Sequence, residues 1–240
     1  MKTVVITGAS KGIGLALARF YGAHRWNITI NGGHDAQALA SAAKELSSLT
    51  CVTTYLGDLS SEEHASGLIA HALQTFGKID LLINNAGISH IGLLSSMTTA
   101  QWRTVMGTNL DAVFYTSRAV IPHMVRRQEG KILNISSVWG EAGASCEAAY
   151  SASKGAVNAL TKALAKELAP SGISVNAVSM GVIDTAMNRC FTEEERAALA
   201  EEIPFGRFAT PQEAAAFCYQ VTQSPSYLTG QILRFDGGWL

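Results

Sequence analysis

The chain has 240 residues, of which 48% are hydrophobic and 15% are charged, and its formal net charge is −1. This length fits one large domain with a sizeable core, whereas the near-zero charge argues against a general nucleic-acid binder, which carries a basic excess. No apolar run approaches the roughly 20 residues of a membrane span, and the N-terminus leads into a strand-like run rather than a secretory signal. We therefore expect a cytoplasmic protein that binds neither nucleic acid nor membrane.

Strand-like and helix-like segments alternate along the chain. Short β-rich runs predict strands near 3–7, 27–31, 51–56, 80–84, 131–136, 173–178 and 231–235. Helical patterns lie between them, at about 12–24, 35–48, 62–76, 109–127, 150–168 and 211–223. Strands separated by helix-length segments indicate βαβ units. The predicted fold class is therefore α/β: one domain over residues 1–240, with a Rossmann-like, doubly wound sheet of about seven mostly parallel strands and helices on both faces.

A glycine-rich motif stands between the first predicted strand and the first predicted helix. It reads Thr7-Gly8-Ala9-Ser10-Lys11-Gly12-Ile13-Gly14. Glycines let the backbone approach a pyrophosphate, and the helix N-terminus offers free amides and the positive end of its dipole. A glycine turn without a ligand is the alternative, but the position after the first strand favours nucleotide binding. The candidate cofactor contacts are Gly8, Ser10, Lys11, Gly12, Ile13 and Gly14.

Polar residues also follow the third and fourth predicted strands. Asp58, followed by Leu59, can accept a hydrogen bond from an adenine amino group or cap the next helix, and the two roles are compatible. Asn85, Ala86 and Gly87 follow the fourth strand. Small residues and an amide at that place can line a cofactor groove, although the run by itself is typical of a turn.

Three positions carry potential acid–base chemistry. Tyr150 and Lys154 share one face of a predicted helix, because residues four apart lie one turn apart. An ammonium beside a phenol favours the phenolate and lowers the phenol's pKa from its reference value near 10. Ser137, at the end of the preceding strand, can polarise a carbonyl oxygen beside that phenol. The trio suits proton transfer to or from a C–O group, and a surface tyrosine beside a solvated lysine is the alternative.

A fourth position, Asn109, lies inside a predicted helix, where asparagine is a poor helix former. It either caps or kinks that helix, or it holds a water next to Lys154. The six histidines are scattered, and the four cysteines form no Cys-x2-Cys pair. We therefore expect no metal site and reduced thiols.

In order and spacing, these motifs resemble those of the short-chain dehydrogenase/reductase family over nearly the whole chain. The matching pieces are the glycine motif, Asp58, the 84–87 turn, Asn109, Ser137, Tyr150-x3-Lys154 and the closing run from Tyr227 to Gly238. The resemblance implies that Tyr150 transfers a proton, while Lys154 lowers its pKa and binds the nicotinamide ribose. It also implies that Ser137 holds the substrate oxygen and that Asn109 positions a relay water. Hydride then passes between nicotinamide and a carbonyl carbon.

One segment departs from the family pattern. Met180 stands where the family usually has a proline after the sixth strand, and the loss of proline costs local rigidity near the nicotinamide amide. Gly181, Ile183 and Thr185 keep the usual residue types, so we expect them to contact the cofactor. The Glu- and Ala-rich run that follows predicts an amphipathic helix within a mobile lid segment at about 184–205.

The end of the second predicted strand bears on the choice of cofactor. An NAD-selective site places an acidic side chain there, which binds the ribose 2′-hydroxyl. Here Asn31 and His34 occupy the region, with no acid before Asp35. Lys11 in the glycine motif can meet a 2′-phosphate. We expect NADP(H) to be favoured over NAD(H), with reduction as the physiological direction.

Among its relatives, the chain most resembles the 3-oxoacyl-acyl-carrier-protein reductases. Those enzymes hold the acidic carrier protein with basic residues beside the active site. Arg126, Arg127 and Lys131 would supply part of that patch, although solvated surface charge is the default interpretation. Ser171 stands where a second basic residue is often found, which weakens the carrier-protein hypothesis.

A second likeness concerns the loop at 136–147, which is similar to that of the elongation factor P 5-aminopentanone reductases. Those enzymes reduce a ketone attached to a lysine of that protein, so Glu141 or Glu147 would face a cationic amine. The alternative is that Trp139 packs and both glutamates are surface groups. Family members are commonly tetramers, which implies a homotetramer. A catalytically silent dinucleotide-binding scaffold or redox sensor is the alternative from another class, and the intact catalytic set argues against it.

Overall fold

A single parallel sheet organises the computed structural model, which describes residues 1–188 and 191–240. The strands are β1 (Thr3–Ile6), β2 (Asn27–Gly32), β3 (Val52–Leu56), β4 (Leu81–Asn84), β5 (Gly130–Ser137), β6 (Ile173–Met180) and β7 (Ile232–Phe235). Their order is β3-β2-β1-β4-β5-β6-β7, and all neighbouring pairs are parallel. The predicted α/β class is confirmed, and the strand order reverses between β1 and β4, where doubly wound folds bind their ligands.

Helices fill the connections between the strands. They are α1 (Gly12–Ala23), α2 (Ala36–Leu46), α3 (Glu62–Phe76), α4 (Thr99–Met106), α5 (Ala112–Arg127), α6 (Trp139–Ala142), α7 (Ala148–Leu168), α8 (Glu193–Glu202) and α9 (Pro211–Gln223). The sequence pattern misses α4 and α6. A capping box between Thr98 and Gln101 marks the start of α4, and that signal is readable in the sequence. The four residues of α6 are too few to show a helical period.

Two hydrophobic clusters pack against the two faces of the sheet. Alternate residues of β1 point to opposite faces, so Val4 joins one cluster and Val5 the other. The first cluster includes side chains of α1, α2 and α9. The second includes side chains of α3, α5 and α7. Both faces of the sheet are therefore covered, which explains the near-continuous apolar runs of the strands.

The amino edge of the sheet is held by a buried carboxylate, Asp80. Its oxygens accept hydrogen bonds from the Thr3 amide and from the Arg127 guanidinium, each at 2.8 Å. Burial disfavours the charged form, but these bonds, together with the ammonium of Lys78, outweigh it and hold the pKa of Asp80 below its usual value. The carboxylate thereby joins β1, β4 and the end of α5 at the edge opposite the loops that follow β1, β4 and β6.

The segment predicted as a lid contains helix α8. A capping box between Thr192 and Glu195 begins this helix. None of its residues is fully buried, and Arg196, Leu199 and Ala200 are half-buried. The predicted role of this helix in a mobile lid stays a prediction. The Arg196 guanidinium contacts Asp184 at 2.8 Å. Residues 189 and 190 of the predicted segment lie outside the described residues.

Within the part of the chain that the structure describes, no helix has both the length and the apolar character needed to cross a membrane.

Candidate active site

The loops that follow β1, β4 and β6 meet at the carboxyl edge of the sheet. A Cβ atom built on Gly8 would lie 2.8 Å from the Cα atom of Ala86, and one built on Gly12 would lie 3.8 Å from the Thr185 side chain. A Cβ atom on Gly87 would lie 3.4 Å from the Lys154 ammonium. The fold thus brings together four motifs that are far apart in the sequence.

Thr7 and Asn85 tie the glycine loop to the loop after β4. The Thr7 hydroxyl accepts hydrogen bonds from the amides of Asn85 and Ala86, each at 2.9 Å. The Asn85 side-chain amide donates to the carbonyl oxygens of Thr7 at 2.9 Å and Gly8 at 3.0 Å. Sequence reasoning misses Thr7 as a site-building residue. Its position at the end of a strand, directly before the glycines, is the signal that could have found it.

The glycine loop has a backbone that only glycine adopts readily. Gly8 and Gly12 have φ angles of +61° and +58°, a region that costs other residues strain. A Cβ atom on Gly14 would lie 2.4 Å from the Gly8 carbonyl oxygen. Ser10 is partly buried, and Lys11 is exposed at the N-cap of α1. Free amides at a helix N-terminus and a bare backbone fit the phosphates of a dinucleotide.

Two of the predicted cofactor contacts lie against the core. Ile13 packs against the first hydrophobic cluster, and Leu59 is buried in the second. Asn31 is also buried, and its side chain is engaged within the fold. Its oxygen accepts from the Gly8 amide at 3.3 Å, and its nitrogen donates to the Gly57 carbonyl at 3.0 Å. Asn31 therefore joins β2 to the glycine loop, and direct contact with a cofactor stays a prediction.

Asp58 and His34 are exposed side chains that follow β3 and β2. The nearest nitrogen of His34 is 3.8 Å from a carboxylate oxygen of Asp58. Asp58 also accepts a hydrogen bond from the Ser60 amide at 3.0 Å, which fits the predicted turn or cap role. No carboxylate stands at the end of β2 itself, since the residues there are Asn31 and Gly32.

Ser137 and Tyr150 are two of the predicted catalytic residues. Ser137 is the last residue of β5, and Tyr150 lies in the first turn of α7. Burial raises the pKa of Tyr150 to about 12, although a hydrogen bond with Ser137 opposes the rise. Burial is the largest cause of this shift, and the lowering of this pKa by Lys154 stays a prediction. The phenol is neutral at pH 7.

Lys154 lies one turn further along α7 and is only 5% exposed. Its ammonium donates a hydrogen bond to the Ile135 carbonyl at 2.8 Å and lies 5.7 Å from the centroid of the Tyr150 ring. Burial lowers the pKa of Lys154 to about 8. The alternative of a solvated surface lysine is thereby excluded, and the group can exchange a proton near neutral pH.

Asn109 lies in a π-helical turn, Gly107–Asp111, that joins α4 to α5. Such turns are frequent at functional sites. The side-chain oxygen of Asn109 accepts from the Ile88 amide at 2.8 Å, and its nitrogen donates to the Ile88 carbonyl at 2.9 Å and to the Ser153 hydroxyl at 3.0 Å. Asn109 therefore ties the loop after β4 to α7. The relay water predicted beside it stays a prediction.

The loop after β6 closes the site from the other side. Gly181 allows close approach to the segment after β7, because a Cβ atom there would lie 2.8 Å from the Asp236 Cα atom. Ile183 is buried and pairs with Ala209 in an isolated β-bridge. Met180 is buried at the end of β6, and the predicted loss of rigidity at this position stays a prediction.

The two glutamates of the loop after β5 differ in their surroundings. Glu141 accepts hydrogen bonds from the Ser179 hydroxyl at 2.5 Å and from the Arg234 guanidinium at 2.9 Å. The Arg234 contact is the main reason that the pKa of Glu141 is lowered. Glu147 accepts a hydrogen bond from the Ser89 hydroxyl, and its charge contributes to the raised pKa of Tyr150. Glu147 thus lies beside the reactive phenol, whereas Glu141 is already paired.

Two of the three basic residues expected beside the site, Arg127 and Lys131, have partners elsewhere in the chain. Arg127 is bound to Asp80, and Lys131 donates to the carbonyls of Thr222 at 2.7 Å and Ser224 at 2.5 Å. Both lie at the amino edge of the sheet, whereas the reactive groups lie at the carboxyl edge. The predicted contact of Arg126, Arg127 and Lys131 with a carrier protein stays a prediction. Among the described residues, no three potential metal-ligating side chains cluster.

Comparisons with known proteins agree with this geometry. A family model described as short chain dehydrogenase matches residues 2–196. The chain is 41% identical to an uncharacterized oxidoreductase, YmfI, of Bacillus subtilis, over 99% of this chain and 98% of that one. It is 37% identical to the 3-oxoacyl-[acyl-carrier-protein] reductase FabG of Thermotoga maritima, over 99% and 97% of the two chains. The corresponding protein of Escherichia coli is 32% identical, over 99% and 96%.

The approach of Gly14 to the glycine loop yields a testable prediction. Gly14→Ala would place a methyl group against the Gly8 carbonyl and should push the loop away from Asn85. We expect the dissociation constant for the dinucleotide, measured by fluorescence titration, to rise at least roughly tenfold, or about 1.4 kcal/mol.

Gly22→Ala is the matched control for this experiment, since Gly22 belongs to the same helix. The added Cβ atom would meet its nearest neighbour, Leu49, at an ordinary 3.4 Å, and alanine favours the helix. Unchanged affinity in Gly14→Ala would show that the tight loop is not needed for binding.

Proposed function

Because the chain belongs to the short-chain dehydrogenase family, we propose that it is an NADPH-dependent reductase that converts a ketone to a secondary alcohol. One observation carries the proposal: the buried ammonium of Lys154 lies 5.7 Å from the centroid of the Tyr150 ring and donates to the carbonyl of Ile135, two residues before Ser137. A catalytically silent scaffold has no need to bury a lysine at this cost. The first candidate substrate is a 3-oxoacyl group on an acyl carrier protein.

The proposed mechanism assigns a separate task to each side chain. Nicotinamide supplies the hydride when it is bound. The Tyr150 hydroxyl, neutral at pH 7, donates its proton to the oxygen of the carbonyl group as negative charge develops there. The Ser137 hydroxyl donates a hydrogen bond to the same oxygen. Lys154, whose pKa is about 8, can then return a proton to the tyrosine.

The preference for NADPH is supported by the charges around the groove. Lys11 is exposed at the N-cap of α1, and no carboxylate stands at the end of β2 to bind a free 2′-hydroxyl. A lysine at this position favours a 2′-phosphate. We propose that Lys11, together with His34 after the end of β2, selects NADPH over NADH.

The carrier-protein substrate is supported by relatives and not by a basic patch. The Thermotoga maritima and Escherichia coli relatives are named 3-oxoacyl-[acyl-carrier-protein] reductases.

We further propose a homotetramer, since large apolar side chains around α4 and α5 are exposed. They are Leu93, Leu94, Trp102 and Phe114. Cytoplasmic localisation is proposed because Cys51, Cys146 and Cys218 are free thiols.

Replacing the proposed proton donor tests the reaction. Tyr150→Phe should lower the rate of NADPH consumption with acetoacetyl-acyl-carrier protein by roughly 10²–10⁴-fold, while the dissociation constant for NADPH stays as in the wild type. Normal turnover in this variant would refute the mechanism. If the wild type binds NADPH but reduces no ketone, the result supports the alternative of a catalytically silent dinucleotide-binding scaffold.

The cofactor preference is tested at Lys11. Lys11→Ala should raise KM for NADPH roughly tenfold, about 1.4 kcal/mol, and leave KM for NADH unchanged, because only the phosphate contact is lost. Lys44→Ala, which removes an exposed charge from α2, is the control and should change neither value. Equal effects of Lys11→Ala on both cofactors would contradict the proposed selectivity.

A second candidate substrate is the ketone carried by a lysine of elongation factor P. The observation that favours it is the position of Glu147, a carboxylate beside Tyr150 whose charge has no basic partner among the contacts described above. Such a group suits a substrate that carries an ammonium near its ketone. Glu141 does not compete for this role, because Arg234 already pairs with it.

The two substrates are separated by Glu147→Gln. With a ketone that bears a terminal primary ammonium, KM should rise roughly tenfold in this variant. With an uncharged ketone of the same length it should not change. Glu129→Gln, an exposed change at the amino edge, serves as control. A rise of equal size for both ketones would eliminate the cationic substrate.

A further inference from the structure

A row of polar side chains crosses three strands behind the catalytic serine. Ser136, Ser179 and Arg234 are in register on β5, β6 and β7. The Glu141 carboxylate lies across the row: one oxygen accepts from the Ser179 hydroxyl at 2.5 Å, and the other accepts from Arg234 at 2.9 Å. Ser179 is fully buried. The carboxylate therefore joins helix α6 to the two last strands of the sheet.

The segment at 236–240 supports the same helix from outside. Arg234 also donates a hydrogen bond to the Leu240 carbonyl. The Asp236 carboxylate accepts from the amides of Gly238 at 3.0 Å and Leu240 at 3.1 Å. This folds the segment back so that the Trp239 ring meets the Trp139 ring edge-on, with 4.8 Å between the centroids.

Helix α6 begins two residues after the catalytic serine and directly controls its hydroxyl. The amide of Trp139, its first residue, donates to the Ser137 hydroxyl at 3.2 Å. One residue earlier, the Val138 amide is bonded to the Met180 carbonyl at 3.0 Å. The orientation of the Ser137 hydroxyl thus depends on where the first turn of α6 is held.

Helix α6 cannot hold itself in place. It has four residues, of which none is buried, and so short a helix is unstable in isolation. Besides the Val138–Met180 bond and the packing of Gly140 against α7, its position depends on the contacts at its two ends. These are Trp239 against Trp139 at the start, and Arg234 with Ser179 on Glu141 near the end. The same strand row touches α7, because the Ser136 hydroxyl donates to the Lys154 carbonyl at 3.4 Å.

We propose that Glu141 and Arg234, with Trp239, are positioning residues that fix the Ser137 hydroxyl toward the carbonyl oxygen of the substrate. They act through α6 and touch neither substrate nor cofactor. The inference rests on the proposed function in one respect, namely that Ser137 binds the carbonyl oxygen.

The experiment compares Glu141→Gln, Arg234→Gln and the double variant with the wild type. We expect kcat for ketone reduction to fall roughly tenfold in each, less than the hundredfold that a displacement of about 1 Å can cost. The double variant should lose no more kcat than the more impaired single variant, because both substitutions remove the same contact between Glu141 and Arg234. The dissociation constant for NADPH should not change, since the glycine loop is remote from α6.

The matched control is the ion pair of Arg19 and Glu45, which joins α1 to α2. Its two hydrogen bonds are 2.5 and 2.8 Å long, and its side chains are 43% and 46% exposed, against 40% and 30% for Arg234 and Glu141. Arg19→Gln and Glu45→Gln should change Tm by as much as the test variants and leave kcat unchanged. If the control variants lose kcat as well, the loss in the test variants reflects lower stability, and the proposed positioning role is refuted.

Amide hydrogen exchange of residues 138–142 provides a readout that needs no turnover. It should accelerate in Glu141→Gln and Trp239→Ala and stay unchanged in Glu45→Gln. Unchanged exchange, or unchanged kcat, would overturn the proposal. If the wild type reduces no ketone, the proposed function fails, yet the exchange experiment still decides whether this network holds α6.

Discussion

The burial of Lys154 is the constraint on which the arrangement of the active site depends. Removing an ammonium from water costs several kcal/mol unless protein groups replace the water. Here the Ile135 carbonyl accepts one hydrogen bond, and the ring of Tyr150 lies close by. Because this compensation is partial, the pKa of Lys154 falls to about 8. Desolvation also raises the pKa of Tyr150 to about 12. One physical cause therefore shifts the pKa values of the proposed proton donor and of the group proposed to reload it in opposite directions.

Such burial requires backbones to approach each other more closely than side chains allow. A Cβ atom on Gly140 would lie 2.7 Å from the carbonyl carbon of Lys154, so α6 and α7 can pack together only through a glycine at this point. The cofactor side of the site uses the same device, where Gly8 and Gly14 bring the first loop against Ala86 and Asn85. Glycines, which have no side chain, therefore allow the close packing at both the Lys154 end and the proposed phosphate end of the site.

The substrate end of the site is built from carboxylates with different partners. Glu141 is neutralised by Arg234 and serves the architecture of α6, whereas Glu147 has a hydroxyl partner, Ser89, and remains a local negative charge beside Tyr150. The basic residues Arg127 and Lys131 stabilise the opposite edge of the sheet. This charge supports the proposal of a cationic substrate, while the names of the relatives support the proposal of an acyl carrier protein.

Local pattern in the sequence determined the alternation of strands and helices, the single parallel sheet and the spacing of Tyr150 and Lys154, because period and helical spacing are properties of neighbouring residues. Only the tertiary structure decided which side chains are engaged. Asn31 is bound to the glycine loop, and Lys131 caps a chain segment that lies 93 residues away. The tertiary structure also decided the direction in which the pKa of Tyr150 shifts and the pairing of Glu141 with Arg234. Hydrogen-bond partners and desolvation depend on contacts between residues distant in the chain, and no local pattern records them.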